Sequence, residues 1–381
     1  MNLRIYLDYC ATTPVHPSVL NAMLRAFDSD FGNPSSMHWA GKDSKQLMNQ
    51  ARANVANGIG CQPSEIIFTS GATEADNLAL FGTLRLFPSN EAHLITSAIE
   101  HHAVLHAAHR LEQDGYSVTY LPVNEHGLVN PEDVRGAIRT ETKLISIMYV
   151  NNEVGSIQPI SEIGRLAHEH NIRFHTDAVQ AIGLFDMNVN ELNVDMLSLS
   201  AHKIYGPKGI GALYVRSGIE LAPMILGGSQ EASLRAGTEN VPGIVGLGAA
   251  MNLVYAHRAE ESIRIMGLRK SLINGLRSIG AAVIVNGLEE KNASHILSIS
   301  FIGVDAEMML IRLNSEGVAV SLGSACNSES IEPSHVLTAM KLSQEQIEST
   351  LRISLGMPTT ERELDILLGV IERVLPRAVI Q

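Results

Sequence analysis

Residues 65–86 read EIIFTSGATEADNLALFGTLRL. The first five, rich in β-branched and aromatic side chains, predict a strand; a Ser-Gly turn follows, and residues 73–86 then carry an amphipathic helical pattern. One such unit decides little, but its repetition decides the fold class. Apolar or β-branched runs recur at 93–97, 117–123, 143–150, 172–176, 196–200 and 210–215, with helical patterns at 103–113, 131–139 and 159–170 between them. This alternation predicts an α/β fold whose seven-stranded sheet is mainly parallel, joined by right-handed crossovers.

From about residue 256 the texture changes. A long charged helix at 257–276 leads into fewer strands, at 282–285, 295–301 and 318–321, with helices at 306–315 and 361–374. That pattern predicts a smaller α+β domain. The expected division is a large domain over 15–256 and a small one combining 1–14 with 257–381. No internal repeat, low-complexity tract or long linker separates them.

Composition bounds the function. The chain has 381 residues, 45% hydrophobic and 18% charged, which excludes a disordered segment and predicts a large core. Its 28 Lys and Arg against 40 Asp and Glu leave a net charge of −12, and aromatics are 4%. Neither a counterion-releasing basic surface nor a base-stacking platform is expected, so no direct nucleic-acid binding is predicted. No apolar run approaches the ~18 residues of a membrane span, and the first residues lack a signal-peptide core, so no membrane association is expected. The three cysteines, Cys10, Cys61 and Cys326, form no CxxC pair, which points to a reducing cytoplasm and no disulfide framework.

Several residues stand where chemistry is done. Lys203, in SLSAHKIYGPKGIGALYV, follows an apolar strand. Burial there would lower its pKa as a Schiff-base lysine requires, although an ordinary solvent-facing loop lysine is an even alternative. Asp177, in RFHTDAVQ, ends another strand; it suits a cofactor pyridinium, against the simpler reading of a helix N-cap. The turn Ser70-Gly71-Ala72-Thr73-Glu74 opens a helix whose free N–H groups could hold phosphate, a capping box being the plain alternative. No GxGxxG follows a strand. His101 could stack on a planar ring. His102, His106 and His109 continue at i+4 and i+3 spacing, but no carboxylate or cysteine completes a metal set, and a solvated helix face explains them better. Cys10 and Cys61 read as buried small hydrophobes. Cys326, in VAVSLGSACNSESIEPSHV, instead falls in a Gly/Ser/Asn-rich stretch that predicts an exposed, mobile loop with a nucleophilic thiol.

These motifs together resemble the cysteine desulfurases of the NifS/IscS type, pyridoxal 5'-phosphate enzymes with the aspartate-aminotransferase-like fold (PLP fold type I). The likeness runs through YLDYCATTP, FGNPSSMH, FTSGATEADNLA, EHHAVL, VNNEVGSIQPI, HTDAVQ, SAHKIYGPKGIGALY, LRAGTENVPGIVG, GSACNSESIEPSHVL and LRISLG, in family order. The resemblance implies that Lys203 holds the cofactor as a Schiff base and shuttles the Cα proton. Asp177 would pair with the ring nitrogen, His101 would stack on the ring, and Gln180 and Asn152 would lie near its phenolic oxygen and the substrate. Thr73, Ser200 and His202 would hold the phosphate, with Thr238 supplied by the second subunit of a homodimer. Arg352, helped by Asn33, would bind the carboxylate of L-cysteine. Cys326 would take the sulfur as a persulfide, releasing L-alanine, and pass it to an acceptor protein.

Three departures qualify the match. Cys10 stands where relatives carry a small or apolar residue, placing a second thiol near the cofactor entrance. GGSQEASLRAG replaces the more usual GGGQERGLRAG at the expected subunit boundary. The chain also stops at VLPRAVIQ, short of the tail by which housekeeping relatives dock an iron–sulfur scaffold. That departure weakens the assignment to general iron–sulfur cluster assembly, still one expected destination of the sulfur, and leaves room for a dedicated pathway such as DNA phosphorothioate modification. An aminotransferase or selenocysteine lyase of the same fold is the enzymatic rival, and a non-catalytic sulfur-relay scaffold the rival of another class.

Overall fold

The tetrapeptide IIFT at 66–69 is buried at every position, so both faces of the strand it forms are covered, as an α/β sheet requires. A computed structural model describes residues 4–323 and 333–375. The chain starts with a short strand β1 (Ile5–Tyr6) and helices α1 (Pro17–Phe27) and α2 (Trp39–Ile59). Then come β2 (Ile66–Thr69), α3 (Ala72–Leu84), β3 (His93–Ser97), α4 (His102–Gln113), β4 (Ser117–Leu121), α5 (Pro131–Ala137), β5 (Thr142–Ser146), α6 (Ile160–Glu169), β6 (Arg173–Asp177), β7 (Met196–Ser200) and β8 (Gly211–Val215). The remainder is α7 (Val241–Ser278), β9 (Val283–Val285), β10 (Ile296–Phe301), α8 (Ala306–Ser315), β11 (Val318–Ala319), α9 (His335–Ala339), α10 (Gln344–Glu348), β12 (Thr350–Ser354) and α11 (Glu361–Val374).

Strands β2 to β8 form one seven-stranded sheet in the order β2-β8-β7-β6-β5-β3-β4. All neighbours are parallel except β8, which runs against both β7 and β2. The exception follows from its connection. Only residues 201–210 join β7 to β8, too few for a helical crossover, so the chain must turn back on itself. The carboxyl ends of β3, β5, β6 and β7 therefore share one edge, where an open α/β sheet receives its ligand.

Helices α3 and α4 cover one face through Leu78, Leu84, Val104 and Leu111, and the other face packs against α1, α2, α6 and α7. A further cluster gathers Ile5 and Leu7 with Ile265, Leu272, Leu297, Phe301, Met309, Ile353 and Leu367. It surrounds the antiparallel sheet β12-β10-β9 and the parallel pair β1-β11.

One helix differs from expectation. The charged helix foreseen at 257–276 is the second half of α7, a single 38-residue helix from Val241 to Ser278. The glycines that read as interruptions are points of close approach. A Cβ on Gly248 would lie 2.6 Å from the Ala51 Cα of α2, and one on Gly246 would lie 2.8 Å from the Met23 sulfur of α1. Among the described residues no helix is long and apolar enough to cross a membrane.

Candidate active site

Ser200 ends β7, and the turn Ala201–Lys203 carries Lys203 straight off the strand. Its Nζ donates to the backbone carbonyls of Cys10 and Ala11, the latter at 3.0 Å. The ammonium is therefore turned inward, against the YLDYCATTP segment, which removes the solvent-facing alternative. Its charge bears on His101, Asp177, His202 and His295, so these five side chains converge on one place.

Asp177 ends the adjacent strand β6 and is buried. No helix follows it. Its Oδ1 instead accepts the Val179 N–H at 2.9 Å in a local turn, which replaces the N-cap alternative. Burial pushes its carboxyl up to about 6, against the Val179 N–H and the charge of Lys203, which both favour the ionised form.

Behind Asp177 lie two carboxyls that motif reading left unassigned. Glu100 accepts from the Ser97 hydroxyl at 2.6 Å and the Met148 N–H at 3.0 Å, yet burial pushes it up to about 8. Asp76 is buried near Ser198, whose hydroxyl favours the ionised form; burial first, then the charges of Asp177 and Glu100, nevertheless raise its carboxyl well above the usual carboxylate range. His175 Nε2 stands 2.9 Å from Ser198 Oγ and 3.6 Å from Asp76 Oδ1, and burial lowers its pKa to about 3. His175 thus meets Asp76 as a neutral ring. The available signal was Asp76 itself, a carboxyl inside the apolar run GATEADNLAL.

His101 is the N-cap of α4, with Nδ1 accepting the Ala103 N–H at 3.1 Å. Burial, then the Lys203 charge, pushes it down to about 4, so it meets the site as a neutral ring. Of the other histidines, His102 and His106 stack on each other at 4.9 Å between ring centres, and His109 packs on Tyr120.

An anion site adjoins these groups. Helix α3 starts at Gly71 with no side chain capping its first turn, so the N–H groups around Thr73 and the positive helix end are on offer. A Cβ placed on Gly71 would lie 4.0 Å from Ser200 Oγ, which brings the Ser200 hydroxyl to the same turn. His202 Nδ1 is 3.1 Å from the Thr12 hydroxyl, and burial followed by the Lys203 charge lowers its pKa to about 4.

Arg352, on β12, is 3% exposed. Its Nη2 pairs with Asp8 Oδ1 at 2.9 Å, and its Nη1 donates to the carbonyls of Asn152 at 2.9 Å and Gly323 at 3.2 Å. Among the described residues its Nε has no partner. Asp8 and the two carbonyls hold the guanidinium still, and the Nε donor remains for a carboxylate. Asp8 was unassigned by motif, although YLDYCATTP contains it.

Other expected residues fall less uniformly. Gln180 is buried, its Nε2 donating to the Cys10 carbonyl at 3.1 Å beside Lys203. Asn152 reaches Arg352 through its backbone. Asn33 lies on an exposed loop, where its Oδ1 accepts the Ser35 N–H at 2.9 Å, and no hydrogen bond joins it to Arg352. Thr238 is exposed on the segment before α7. Cys10 is buried and Cys61 only partly so; Cys326 lies outside the described residues.

In GGSQEASLRAG, three consecutive residues, Glu231, Ala232 and Ser233, adopt left-handed backbone with φ of 45°, 57° and 64°. Such a turn costs about 1–2 kcal/mol per residue, offset here by a buried anchor. Glu231 binds Arg52 at 2.5 Å and the Phe68 N–H at 2.8 Å. Arg235 then ties the segment to Glu74 in the first turn of α3, at 2.9 Å.

A lysine and a carboxylate at the ends of adjacent parallel strands, with a helix N-terminus beside them, match a family. Residues 5–367 fit the model of aminotransferase class-V. The chain belongs to that family. Among curated relatives, the cysteine desulfurase IscS of Methanosarcina thermophila is 48% identical over 376 residues, covering 99% of this chain and 93% of its own. Among solved structures, a NifS-like protein superposes with a TM-score of 0.93 at 37% identity, over 98% of this chain and 100% of its own. SspA in complex with cysteine superposes at 0.81 and 42% identity, over 92% and 98%. The α/β architecture is that of the class-V aminotransferase fold.

The donor set fits pyridoxal 5'-phosphate on the geometry alone. The uncapped start of α3 with Ser200 suits a phosphate, the buried Asp177 suits a protonated ring nitrogen, and Lys203 is turned into the site.

Proposed function

We propose that this protein is a cysteine desulfurase that uses pyridoxal 5'-phosphate. The observation that carries the proposal is the convergence of Lys203, Asp177 and His101 at one sheet edge, next to the uncapped start of α3. When bound through Lys203, the cofactor supplies an electron sink for the Cα–H bond of an amino acid. Thr73, Ser200 and His202 hold its phosphate, Asp177 keeps a proton on its ring nitrogen, and His101 covers the ring as a neutral imidazole. Gln180 and Asn152 flank the reacting centre. Arg352 orients the L-cysteine carboxylate, and Lys203 removes the Cα proton.

Cys326 is the sulfur acceptor. Its thiolate attacks the substrate sulfur, an S–S bond forms as the C–S bond breaks, and the carbon skeleton takes up protons to leave as L-alanine. The persulfide is then passed to an acceptor protein in a reducing cytoplasm, for iron–sulfur cluster assembly or another sulfur-transfer route.

The working form is a homodimer. Leu20, Leu24 and Phe27 lie on one face of α1, at i, i+4 and i+7, and with Phe31, Met37 and Trp39 they expose large apolar surface; Phe27 is 65% and Trp39 69% exposed. A second copy is the occupant proposed for it, bringing its Thr238 to the phosphate.

The test incubates the purified protein with pyridoxal phosphate and L-cysteine. L-alanine and sulfide in equal amounts, with one extra sulfur on Cys326 by mass spectrometry, are expected. A keto acid product would mean transamination, and full activity in Cys326→Ala would overturn the proposed sulfur route.

A further inference from the structure

Beside Lys203, a cavity opens between residues 179–184, α7 and the segment 355–357. Its wall is mostly apolar, with a polar corner made by Lys203, Gln180 and His295. His295 precedes β10, is 8% exposed, and its Nδ1 has no partner among the described residues. Sequence motifs assign it nothing.

The hydrogen bonds around it determine both a tautomer and an amide orientation. The Cys10 carbonyl accepts from Lys203 Nζ and from Gln180 at 3.1 Å. A carbonyl only accepts, so the Gln180 atom facing it is the NH2. The Gln180 Oε1 then faces His295 Nε2 at 3.3 Å. An amide oxygen also only accepts, so the imidazole carries its proton on Nε2 and presents a bare Nδ1. Burial, then the charges of Arg352 and Lys203, pushes the pKa of His295 down to about 3, which keeps this neutral form over the working pH range.

Held by the Cys10 carbonyl alone, the Gln180 amide could swing about its side-chain torsions. Held at both ends it cannot. One N–H is then spent on the Cys10 carbonyl, to which Lys203 also donates, and the other is left to donate elsewhere. We propose that His295 is a positioning residue, which locks the Gln180 amide from behind and thereby aims its second N–H at the reacting centre. The inference rests on the reading that places Gln180 beside the cofactor.

Three variants, His295→Leu, His295→Gln and Gln180→Ala, are compared as loaded enzymes. The readouts are the visible absorbance of the bound cofactor against pH, kcat and KM for L-cysteine, and the melting temperature. His295→Leu is expected to move the absorbance midpoint in the same direction as Gln180→Ala. It should also lower kcat about tenfold with little change in KM, the size of one net hydrogen bond. His295→Gln, which retains an N–H donor, should recover most of both. If His295→Leu leaves midpoint and kcat untouched while Gln180→Ala shifts them, the inference fails and the site reading stands; if Gln180→Ala shifts neither, both fail. Independently of variant folding, nitrogen-15 NMR of the cofactor-free wild type should find His295 as the Nε2–H tautomer, and the Nδ1–H form would overturn the inference.

Discussion

Gly211 opens β8 against the turn that starts α3, and replacing it by alanine tests the phosphate cradle directly. The new methyl carbon would lie 2.5 Å from the Leu199 carbonyl oxygen and 2.7 and 2.8 Å from the carbonyl carbon and Cα of Gly71. Ordinary contact begins at 3.4 Å, so Gly71 must retreat by 3.4 − 2.7 = 0.7 Å. All three obstacles are backbone atoms, so no side chain can rotate away. Leu199, the nearest obstacle, is paired with Ala212 in the β7–β8 ladder, so the strain is shared between that ladder and the softer Gly71 turn. Overpacking of this kind costs about 1–3 kcal/mol of stability. A displacement approaching 1 Å at a binding group weakens its function by up to about a hundredfold. Fluorescence titration of cofactor-free Gly211→Ala with pyridoxal phosphate should therefore show affinity reduced roughly ten- to hundredfold, with a lower melting temperature. Gly136→Ala is the control: in α5, with nothing within 4 Å of the added carbon, it should leave affinity unchanged and add about 0.5–1 kcal/mol of helix stability. Unchanged affinity in Gly211→Ala would refute the assignment of the α3 turn as the phosphate site.

Arg352→Lys keeps the charge but loses the unpartnered Nε, and kcat/KM for L-cysteine should fall by about ten- to a hundredfold, chiefly through KM. An unchanged KM would detach Arg352 from the carboxylate. His101 takes its proton near pH 4 in the folded cofactor-free protein but near 6.5 when unfolded, because burial and then Lys203 disfavour the cation. Its contribution to stability is thus present above pH 6.5 and is lost as pH falls toward 4; an NMR midpoint near 6.5 would contradict this. Phe27→Glu should convert the dimer to a monomer in sedimentation and weaken cofactor binding through loss of the neighbour's Thr238. An unaltered dimer would move the interface elsewhere.

The seven strands of the main sheet were legible because each is a short run carrying apolar residues, most of them β-branched or aromatic, between helical patterns or turn formers. Helix α2 was not, since its buried face is largely Ala40, Gly41, Ser44 and Ala51, whose small side chains leave little periodic signal. The start of α7 was hidden for the same reason, its glycines being contacts that only the partner helices reveal. At the site, Lys203, Asp177 and His101 announce themselves by residue type at strand ends. Glu100, Asp76 and His295 do not, because their roles arise from neighbours far away in the chain, such as Met148, His175 and Gln180. Asn33 rests on family position alone, its side chain accepting the Ser35 N–H of its own loop.

At about 1.5 Å per residue, the 38-residue α7 is about 57 Å long, and it belongs to both hydrophobic bodies at once. Ile244, Leu247 and Met251 near its start serve the core of the large sheet, while Ile265, Leu268 and Leu272 serve the cluster around β10 and β12. Ile5 and Leu7, from the opposite end of the chain, complete that second cluster. A gene cut at 256/257 would therefore sever a helix in mid-span, leave an apolar stripe bare on each stump, and strip the C-terminal piece of its first strand. Neither half is a module that fusion or fragment expression could lift out intact; the two must be engineered as one object.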